Sequence, residues 1–412
     1  MSFTDRISGS VCYIQTMYLE GSKSLRNTHG EVNCIFQALN EHYHDTVLYD
    51  SEAAADIPAF RDIRTAQNFL HGGGLPFRAE RLLIRDFSIH DDVIPIIDSH
   101  VMAVAYPEMG SVSVMVNLCI KDIDTESLVF MRHMQGNGKK LTITAPDGST
   151  RSMTISEITN EVISHMCVTL GGHQGGYLLE LNNFCGYEHI SDILESEPNR
   201  LYGIMTGDEG WEYLAKDLAE ERVASRWSSR SFVSMIAFGN AFLLLNLFGS
   251  PEYTDYLTHQ KRFFTEYYQA ENPYFTLRAP IAGVNHGIFF AAEVGLLIKT
   301  FSQNVLDRQD SWIKGKLSFS TKISEMKDIR KDLIMAIGQV EDLGISEIGE
   351  LQSLVMQSLK IHPVIDRLKN LLDILESGLE LHYSTHTNFF VNLLAIIGLL
   401  FSLIELCSMF FG

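Results

Sequence analysis

The sequence has 412 residues, of which 46% are hydrophobic, and a formal net charge of −19 at pH 7. This size and apolar content suffice for one or two substantial cores and exclude a disordered chain. The charge argues against a general nucleic-acid coat or a body that lies on anionic lipid, since its field repels phosphate, so any polyanion site must be local.

Cysteine usage and the N-terminal segment indicate the compartment. The six cysteines are scattered, with no CxxC pair and no Cys/His pair at metal-ligand spacing. We therefore expect free thiols in a reducing compartment, no metal and no cofactor. The N-terminal segment MSFTDRISGSVCYIQTMYLEG has no basic region followed by a long apolar run, which predicts the absence of a signal peptide and a body in the cytoplasm.

Residues 1–205 alternate short apolar runs with turns and predict the first part of an α/β body. VMAVAYPEM and SVSVMVNLCIKDID are typical of β-strands, and TESLVFMRHM is typical of a helix. A hairpin is predicted around Pro146-Asp147-Gly148, and the glycine-rich segment from Gly171 to Gly176 is predicted to be a loop.

Catalytic signatures in this part are incomplete. His71–Gly74 resembles an esterase oxyanion loop, but no GxSxG turn accompanies it. Gly136–Lys140 lacks the spaced first glycine and the Ser/Thr of a phosphate-binding loop, which favours a simple turn. The histidines of His42–Asp45 and His90–Asp92 form no HExxH motif. We therefore expect no enzyme activity, no catalytic residue and no metal ligand.

Residues 206–285 predict a second part of the body. It opens with GDEGWEYLAKDLAEERVASRWSSR, in which Asp208 is a natural helix N-cap. The uncharged segment Phe232–Gly249 follows. Its Ser, Asn and Gly residues and its modest length favour a buried strand element, with a second membrane segment as the alternative.

Two arginine clusters stand out in this acidic sequence, each beside aromatic residues. The candidate ligand-binding residues are Arg78, Arg81, Arg85, Arg222, Arg226, Trp227 and Arg230. Spacings of three and four predict that each cluster lies on one helical stripe, where guanidinium groups would hold the phosphates of a nucleotide or short single-stranded oligonucleotide. The alternative is salt bridging, to Glu80 and Asp86 in the first cluster and to Glu220 and Glu221 in the second.

From His286 onward the pattern is helical, and residues 286–387 predict a stalk of long amphipathic helices. Apolar residues recur at helical spacing from Ile323 to Val340 and again after Gly344, with an interruption at Pro363. Only Tyr383–Thr387 breaks the pattern before the C-terminal segment, so the last stalk helix is predicted to be continuous or nearly continuous with it. An ordinary helical bundle packed on itself is the alternative to a stalk.

Residues 388–412 predict a single transmembrane helix from Phe389 to Phe411, in which Glu405 is the one ionisable group. A helix of this length rises about 35 Å, enough to cross a hydrocarbon core of about 30 Å. The predicted fold class is therefore an α+β cytosolic body followed by long stalk helices and a single C-terminal transmembrane helix. The predicted location is the bacterial inner membrane, single-pass, with the body in the cytoplasm.

Small and polar residues of this segment share one helical face, which favours self-association. The candidate pore-lining residues are Asn392, Ala395, Gly398, Ser402 and Glu405. A ring of Glu405 side chains would give a pore a preference for cations. A Glu405 that reaches water at the far interface is the alternative, and it needs no pore.

The body, stalk and C-terminal segment resemble the architecture of CorA-type cation channels over residues 286–412, although the Gly-Met-Asn triplet and second membrane helix of that family are absent. A C-terminally anchored body without a catalytic motif also resembles the membrane effectors of bacterial anti-phage systems, in which a nucleotide or oligonucleotide controls an oligomeric pore. These resemblances imply a homo-oligomeric effector or ion channel gated by a cytosolic ligand. Its partners would be further copies of itself, the lipid bilayer and that ligand. A tail-anchored scaffold that tethers a protein partner and an anchored hydrolase remain as alternatives.

Overall fold

The computed structural model divides the chain into two compact units. The first comprises residues 1–304 and 339–362, and the second comprises residues 305–338 and 363–412. The structure describes residues 7–20, 28–48, 80–107, 109–136, 138–182, 187–247, 249–263, 286–314, 331, 334 and 347–411.

The described strands of the first unit form two sheets. They are β1 (Ile7–Leu19), β2 (Thr46–Leu48), β3 (Glu80–Ile84), β4 (Ser88–His90), β5 (Ile96–Tyr106), β6 (Ser111–Ile123), β7 (Leu141–Thr144), β8 (Thr150–Met153), β9 (Leu170–Asn182), β10 (Arg226–Arg230), β11 (Val233–Phe238) and β12 (Ala241–Asn246). Nine strands form a large sheet in the order β10-β11-β12-β9-β1-β6-β5-β3-β2, and three form a small sheet in the order β4-β7-β8. The pairing of β12 with β9 is parallel, whereas β1 pairs antiparallel with both of its neighbours. The body is therefore α+β with a large mixed sheet.

Ten helices are described, and two of them begin with clear side-chain caps. The ten helices are α1 (His29–His42), α2 (Thr125–His133), α3 (Ile155–Ser164), α4 (Ile190–Ser196), α5 (Pro198–Thr206), α6 (Lys216–Val223), α7 (Pro251–Phe263), α8 (His286–Lys314), α9 (Glu347–Ser358) and α10 (Ile361–Phe411). The Asp124 side chain accepts a hydrogen bond from the Ser127 amide and caps α2. Thr154 and Glu157 form a reciprocal capping box at the start of α3. Each cap satisfies backbone N–H groups that have no partner inside the helix.

The sheet register assigns side chains to two faces. Tyr13 of β1 pairs opposite Tyr177 of β9 on the face that α2 covers, where the Tyr13 hydroxyl donates to the Met131 carbonyl at 2.5 Å. The next residue pair, Ile14 and Gly176, projects to the opposite face because side chains alternate along a strand. That face is covered by α8.

A glycine in β9 permits the close approach of α8. A Cβ atom built on Gly176 would lie 2.3 Å from Leu296 Cδ1, a separation that real Cβ atoms do not tolerate. The missing side chain therefore makes room for α8 on the sheet. Gly171–Gly176 lies within β9 and pairs antiparallel with β1, so the prediction of a loop there was wrong.

Arg81 of β3 and Glu293 of α8 form a buried ion pair beneath the helix. The Arg81 Nη2 and Glu293 Oε2 atoms are 3.0 Å apart, and both side chains are 0% exposed. Burial raises the pKa of Glu293, and the charge and hydrogen bond of Arg81 oppose that rise. Because an isolated charge in a protein interior is very costly, each partner requires the other and the pair fixes the position of α8 relative to β3.

Several predictions from the sequence are confirmed. The predicted strands correspond to β5 and β6, the predicted helix to α2, and the hairpin around Gly148 to β7 and β8. Phe232–Gly249 is a buried strand element, in which β11 and β12 pair around Gly239 at a φ of 60°. Cys12, Cys34, Cys119 and Cys167 are free, as expected.

The predicted C-terminal transmembrane helix is wrong. Within the part of the chain that the structure describes, no helix combines the length and the apolar character needed to cross a membrane. The corrected fold class is the α+β body with its large mixed sheet and additional helices. The predicted single-pass location in a bacterial inner membrane depended on this span and is wrong for the same reason.

Long helices do occur in the C-terminal third of the chain. Between α9 and α10 the chain turns at Lys360, whose φ of 55° lies in the left-handed region and ends the helical path. Pro363 therefore lies in the first turn of α10, where proline is tolerated. The helix continues without interruption through Tyr383–Thr387, in agreement with the predicted continuity of the last stalk helix with the C-terminal segment. Most of Ile323–Val340 lies outside the described residues.

We predict that Arg81→Met and Glu293→Gln will each destabilise the protein by about 3–5 kcal/mol, because each leaves a buried charge or its hydrogen-bonding groups without a partner. The double variant Arg81→Met/Glu293→Leu should lose less than the sum of the two single losses. Urea unfolding followed by circular dichroism measures these differences.

Arg85→Met is the matched control, since the Arg85 side chain is 45% exposed and its Nη1 lies 4.0 Å from Asp45 Oδ1. It should change the free energy of unfolding by less than about 1 kcal/mol. Equal losses for Arg81→Met and Arg85→Met would contradict the structural role of the buried pair.

Candidate functional site

A cavity of about 890 Å³ opens beside the C-terminal end of α2. Its wall is formed by the last residues of α2, the turn that follows and one residue after α5. The lining residues are Phe130, Arg132, His133, Gln135, Gly136, Gly138, Lys139 and Glu209. Three of these side chains are cationic or can become so, and one is a carboxylate.

The amphipathic pattern of α2 aims these side chains away from the core. Leu128 and Met131 are fully buried, whereas Phe130 remains 38% exposed. The C-terminal residues Arg132 and His133 complement the negative end of the helix dipole. The helix therefore presents an aromatic ring and two basic side chains to the cavity.

Arg132 is held rigidly by three contacts. Its Nε donates to the Met205 carbonyl and its Nη2 donates to Asn240 Oδ1, each at 3.0 Å. Its guanidinium carbon lies 4.8 Å from the centre of the Tyr177 ring, within the range of a cation–π interaction. Burial lowers the pKa of Arg132, an effect that the neighbouring Tyr177 and Tyr13 oppose. The side chain is thus fixed before any ligand arrives.

His133 packs against the end of α5. Its Nε2 lies 2.5 Å from the Gly207 carbonyl oxygen. Gly207 has a φ of 78°, and a Cβ atom there would lie 2.4 Å from His133 Nε2. Only glycine meets both the left-handed conformation and the close approach of the ring.

Lys139, which also lines the cavity, is held by the carboxylate of Asp91. Its Nζ lies 2.7 Å from Asp91 Oδ2, and the Asp91 side chain is 4% exposed. Burial raises the pKa of Asp91. Hydrogen bonds from Lys139, Ile94 and Val93 lower it, and together they outweigh burial, so the net pKa is below its ordinary value. The ionised carboxylate therefore holds the ammonium group at the cavity wall.

The first arginine cluster does not form a helical stripe. Arg81 lies in β3 and is buried against Glu293, and Arg85 follows that strand on the surface, with its backbone N–H donating to the Asp45 carbonyl. Arg78 lies outside the described residues. The helical placement of Arg81 and Arg85 was wrong because Arg81 lies in a strand and Arg85 directly follows it.

The second cluster is divided between two elements. Arg222 ends α6, with its guanidinium carbon 5.7 Å from the Phe238 ring centre. Arg226, Trp227 and Arg230 lie in β10, at the edge of the large sheet. Among the described residues, the cavity wall includes no member of either cluster. Their role in binding a ligand stays a prediction.

The candidate pore-lining residues lie in α10. Asn392, Ala395 and Gly398 are exposed. The side chains of Ser402 and Glu405 lie outside the described part of the chain. Nothing in the described contacts brings the exposed three residues to a partner within this chain.

The sequence does not predict the cavity, although Gly136–Lys140 contributes to its wall. This segment lacks the pattern of a phosphate-binding loop and was predicted to be a simple turn. The adjacent lysines Lys139 and Lys140 in an acidic chain were the available signal. The contributions of Arg132 and Glu209 were not visible, since only the packing of α2 against α5 brings them together.

Comparison with known proteins finds no matching family model, no matching curated protein and no matching solved structure.

We predict that Asp91→Asn will reduce stability at neutral pH and that this loss will shrink as the pH falls below about 3.9, the ordinary pKa of aspartate. The pKa of Asp91 is lower in the folded state than in the unfolded state, so its stabilising contribution is present above the unfolded pKa and disappears as acid protonates the folded carboxylate. Urea unfolding of both proteins at several pH values tests this. A loss of the same size at every pH would contradict it.

Proposed function

We propose that this protein is a ligand-responsive effector whose body binds a small anionic ligand of the nucleotide class in the cavity beside Phe130, Arg132 and Lys139. One observation supports this most directly. The cavity is lined by Arg132, His133 and Lys139 and by one carboxylate, Glu209, with Asp91 paired to Lys139, on a chain whose net charge is −19. A local cationic site is what an acidic protein needs in order to bind phosphate.

The size and composition of the cavity fit a small molecule. Its volume of about 890 Å³ lies in the range of sites for small ligands. The exposed ring of Phe130 supplies an apolar surface for a base, and the basic groups supply partners for phosphates. Because Arg132 and Lys139 are already held by protein contacts, little conformational entropy is lost when a ligand binds.

The contacts of Arg132 connect the cavity to the large sheet. Arg132 donates to Asn240, which lies in the turn between β11 and β12, and Asn240 Nδ2 donates to the Gly175 carbonyl of β9 at 2.8 Å. A ligand that engages Arg132 therefore acts on the junction of β9 and β12. This chain of hydrogen bonds is the route by which the body would respond to binding.

Self-association is the second part of the effector hypothesis. The channel component of that hypothesis needs a membrane span and is not retained. The helix α10 nevertheless exposes a series of large apolar side chains, including Phe389 at 61%, Leu394 at 66% and Leu399 at 65%. An exposed apolar surface of this kind marks an interaction site, and we expect further copies of the same chain to cover it.

Ligand binding is tested by isothermal titration calorimetry with a panel of ribonucleoside mono-, di- and triphosphates and inorganic phosphate. We expect at least one nucleotide to bind. Phe130→Ala and Lys139→Ala should each weaken its affinity by about tenfold, which corresponds to about 1.4 kcal/mol.

Lys140→Ala is the matched control, since Lys140 is an exposed neighbouring lysine that does not line the cavity. Thermal unfolding of every variant identifies effects on folding, because Lys139→Ala removes the partner of Asp91. Failure of the whole panel to bind the folded protein, or equal effects of Lys139→Ala and Lys140→Ala with no effect of Phe130→Ala, would refute the proposal.

Self-association is tested by sedimentation velocity of the full chain. We expect an oligomer that Leu394→Lys/Leu399→Lys disrupts, because each charge would be buried in the apolar contact. Ser384→Lys/Asn388→Lys adds the same charges at exposed polar positions of α10 and should leave the oligomer intact. A wild-type monomer at all concentrations tested would rule out this part.

A further inference from the structure

Three side chains with metal-ligand atoms converge where β5 and β6 pair. Asp98 pairs opposite Cys119, and His100 pairs opposite Asn117, two residues further along each strand. Directly paired residues and residues two apart on one strand share a face, so all four side chains project to the same side of the sheet. The ligand atoms of Asp98, His100 and Cys119 all lie within 4.8 Å of one another.

The spacing is close to that of a tetrahedral site. Asp98 Oδ2 and His100 Nε2 are 3.2 Å apart. Two ligand atoms bound to zinc at about 2.0–2.1 Å with a tetrahedral angle are about 3.3 Å apart, and a nitrogen and a sulfur ligand are about 3.6 Å apart. The Asp98–His100 pair already has this separation, and Cys119 requires an approach of about 1.2 Å at most. The ion would replace the direct hydrogen bond between the imidazole and the carboxylate.

The three side chains differ in exposure in a way that allows an ion to enter. The Asp98 and His100 side chains are 54% and 24% exposed, and Cys119 is fully buried. The thiol therefore lies at the floor of the site and the carboxylate lies at its rim. Three protein ligands with one side open to solvent leave a fourth position for water, as in many zinc sites with open coordination.

Two carboxylate side chains lie near the thiol. Burial raises the pKa of Cys119 to about 12, and the charges of Asp98 and Glu180 contribute. The same two carboxylates attract a divalent cation, and a bound cation converts a coordinating thiol to the thiolate. Without an ion, Asp98 and His100 form a partly exposed hydrogen-bonded pair, and Cys119 is a neutral buried thiol.

Asn117 supplies an independent observation. Its Oδ1 atom is buried and accepts no hydrogen bond from the described residues. A buried carbonyl oxygen without a donor costs about 1–3 kcal/mol. Asn117 lies opposite His100 on the same face of the sheet, so a hydrated ion at the site would bring water molecules to the side on which this oxygen needs a donor.

We propose that Asp98, His100 and Cys119 bind a divalent cation of the zinc type, with water as the fourth ligand. One thiolate and one imidazole favour zinc or cobalt over magnesium or calcium, which prefer oxygen ligands alone. The site was missed in the sequence because its ligands belong to two strands and have no local motif. It lies on the α8 side of the sheet, whereas the cavity beside α2 lies on the other side, so the two proposals are independent.

The test is a cobalt titration of the full chain after treatment with a chelator and a reductant. We expect one equivalent of Co²⁺ to bind with a near-ultraviolet thiolate-to-cobalt charge-transfer band. The band should disappear in Cys119→Ser and should be lost or greatly weakened in His100→Ala. Cys12→Ser tests the neighbouring thiol, since Cys12 pairs opposite Asn117 on β1 and projects to the same face. It should retain the band, because Cys119 supplies the thiolate.

A thermal-shift measurement with zinc covers the case in which Cys119→Ser does not fold. Zinc should raise the unfolding temperature of the wild type and of Cys12→Ser, but not that of His100→Ala, whose partly exposed side chain is tolerant of substitution. Failure of the folded wild type to bind cobalt would overturn the proposal. Equal binding by the wild type, His100→Ala and Asp98→Asn would also overturn it, because the ion would then lie elsewhere.

Discussion

Arg81 and Glu293 place two opposite charges in the interior of the first unit, with their side chains fully buried and 3.0 Å apart. The pair requires that α8 cross β3 at one position, since any displacement would leave a charge without its partner in a medium of low polarity. The contact of Leu296 with the bare backbone of Gly176 then fixes the same helix against β9. Two contacts of different chemistry therefore determine how α8 covers the sheet.

The two faces of the large sheet have different chemical characters. The face toward α8 carries polar groups, among them Arg81, Cys119, Glu180 and Asn246, and the Asn246 amide donates to Glu180 Oε1 at 2.7 Å. Such groups are costly to bury without partners, so a polar layer of this kind specifies one arrangement or serves a ligand. The proposed metal site at the β5–β6 pairing belongs to this layer. On the opposite face, Tyr13 and Tyr177 support α2 and the cavity at its end.

The two proposed sites use different physical means to attract ions of opposite sign. At the cavity, Lys139 is held by the buried carboxylate of Asp91, and Arg132 is held by backbone and amide oxygens, so positive charge is fixed at a surface that is otherwise acidic. At the β5–β6 pairing, a buried thiol lies near the carboxylates of Asp98 and Glu180, whose negative charge favours a cation. At the cavity the basic side chains are already held in place, which reduces the entropic cost of binding.

The sequence by itself determined the strands β5 and β6, the helix α2, the hairpin at Gly148 and the buried nature of Phe232–Gly249, because alternation, helical periodicity and turn residues are local signals. It was wrong about Gly171–Gly176, about the arginine stripes and about the C-terminal span. Only the tertiary structure decided those cases: pairing with β1 makes a strand of a glycine-rich segment, and burial against Glu293 gives Arg81 a structural partner. The candidate sites also depended on it, since Asp98 meets Cys119, and Arg132 meets Asn240, through strand register and helix packing, which no spacing along the chain records.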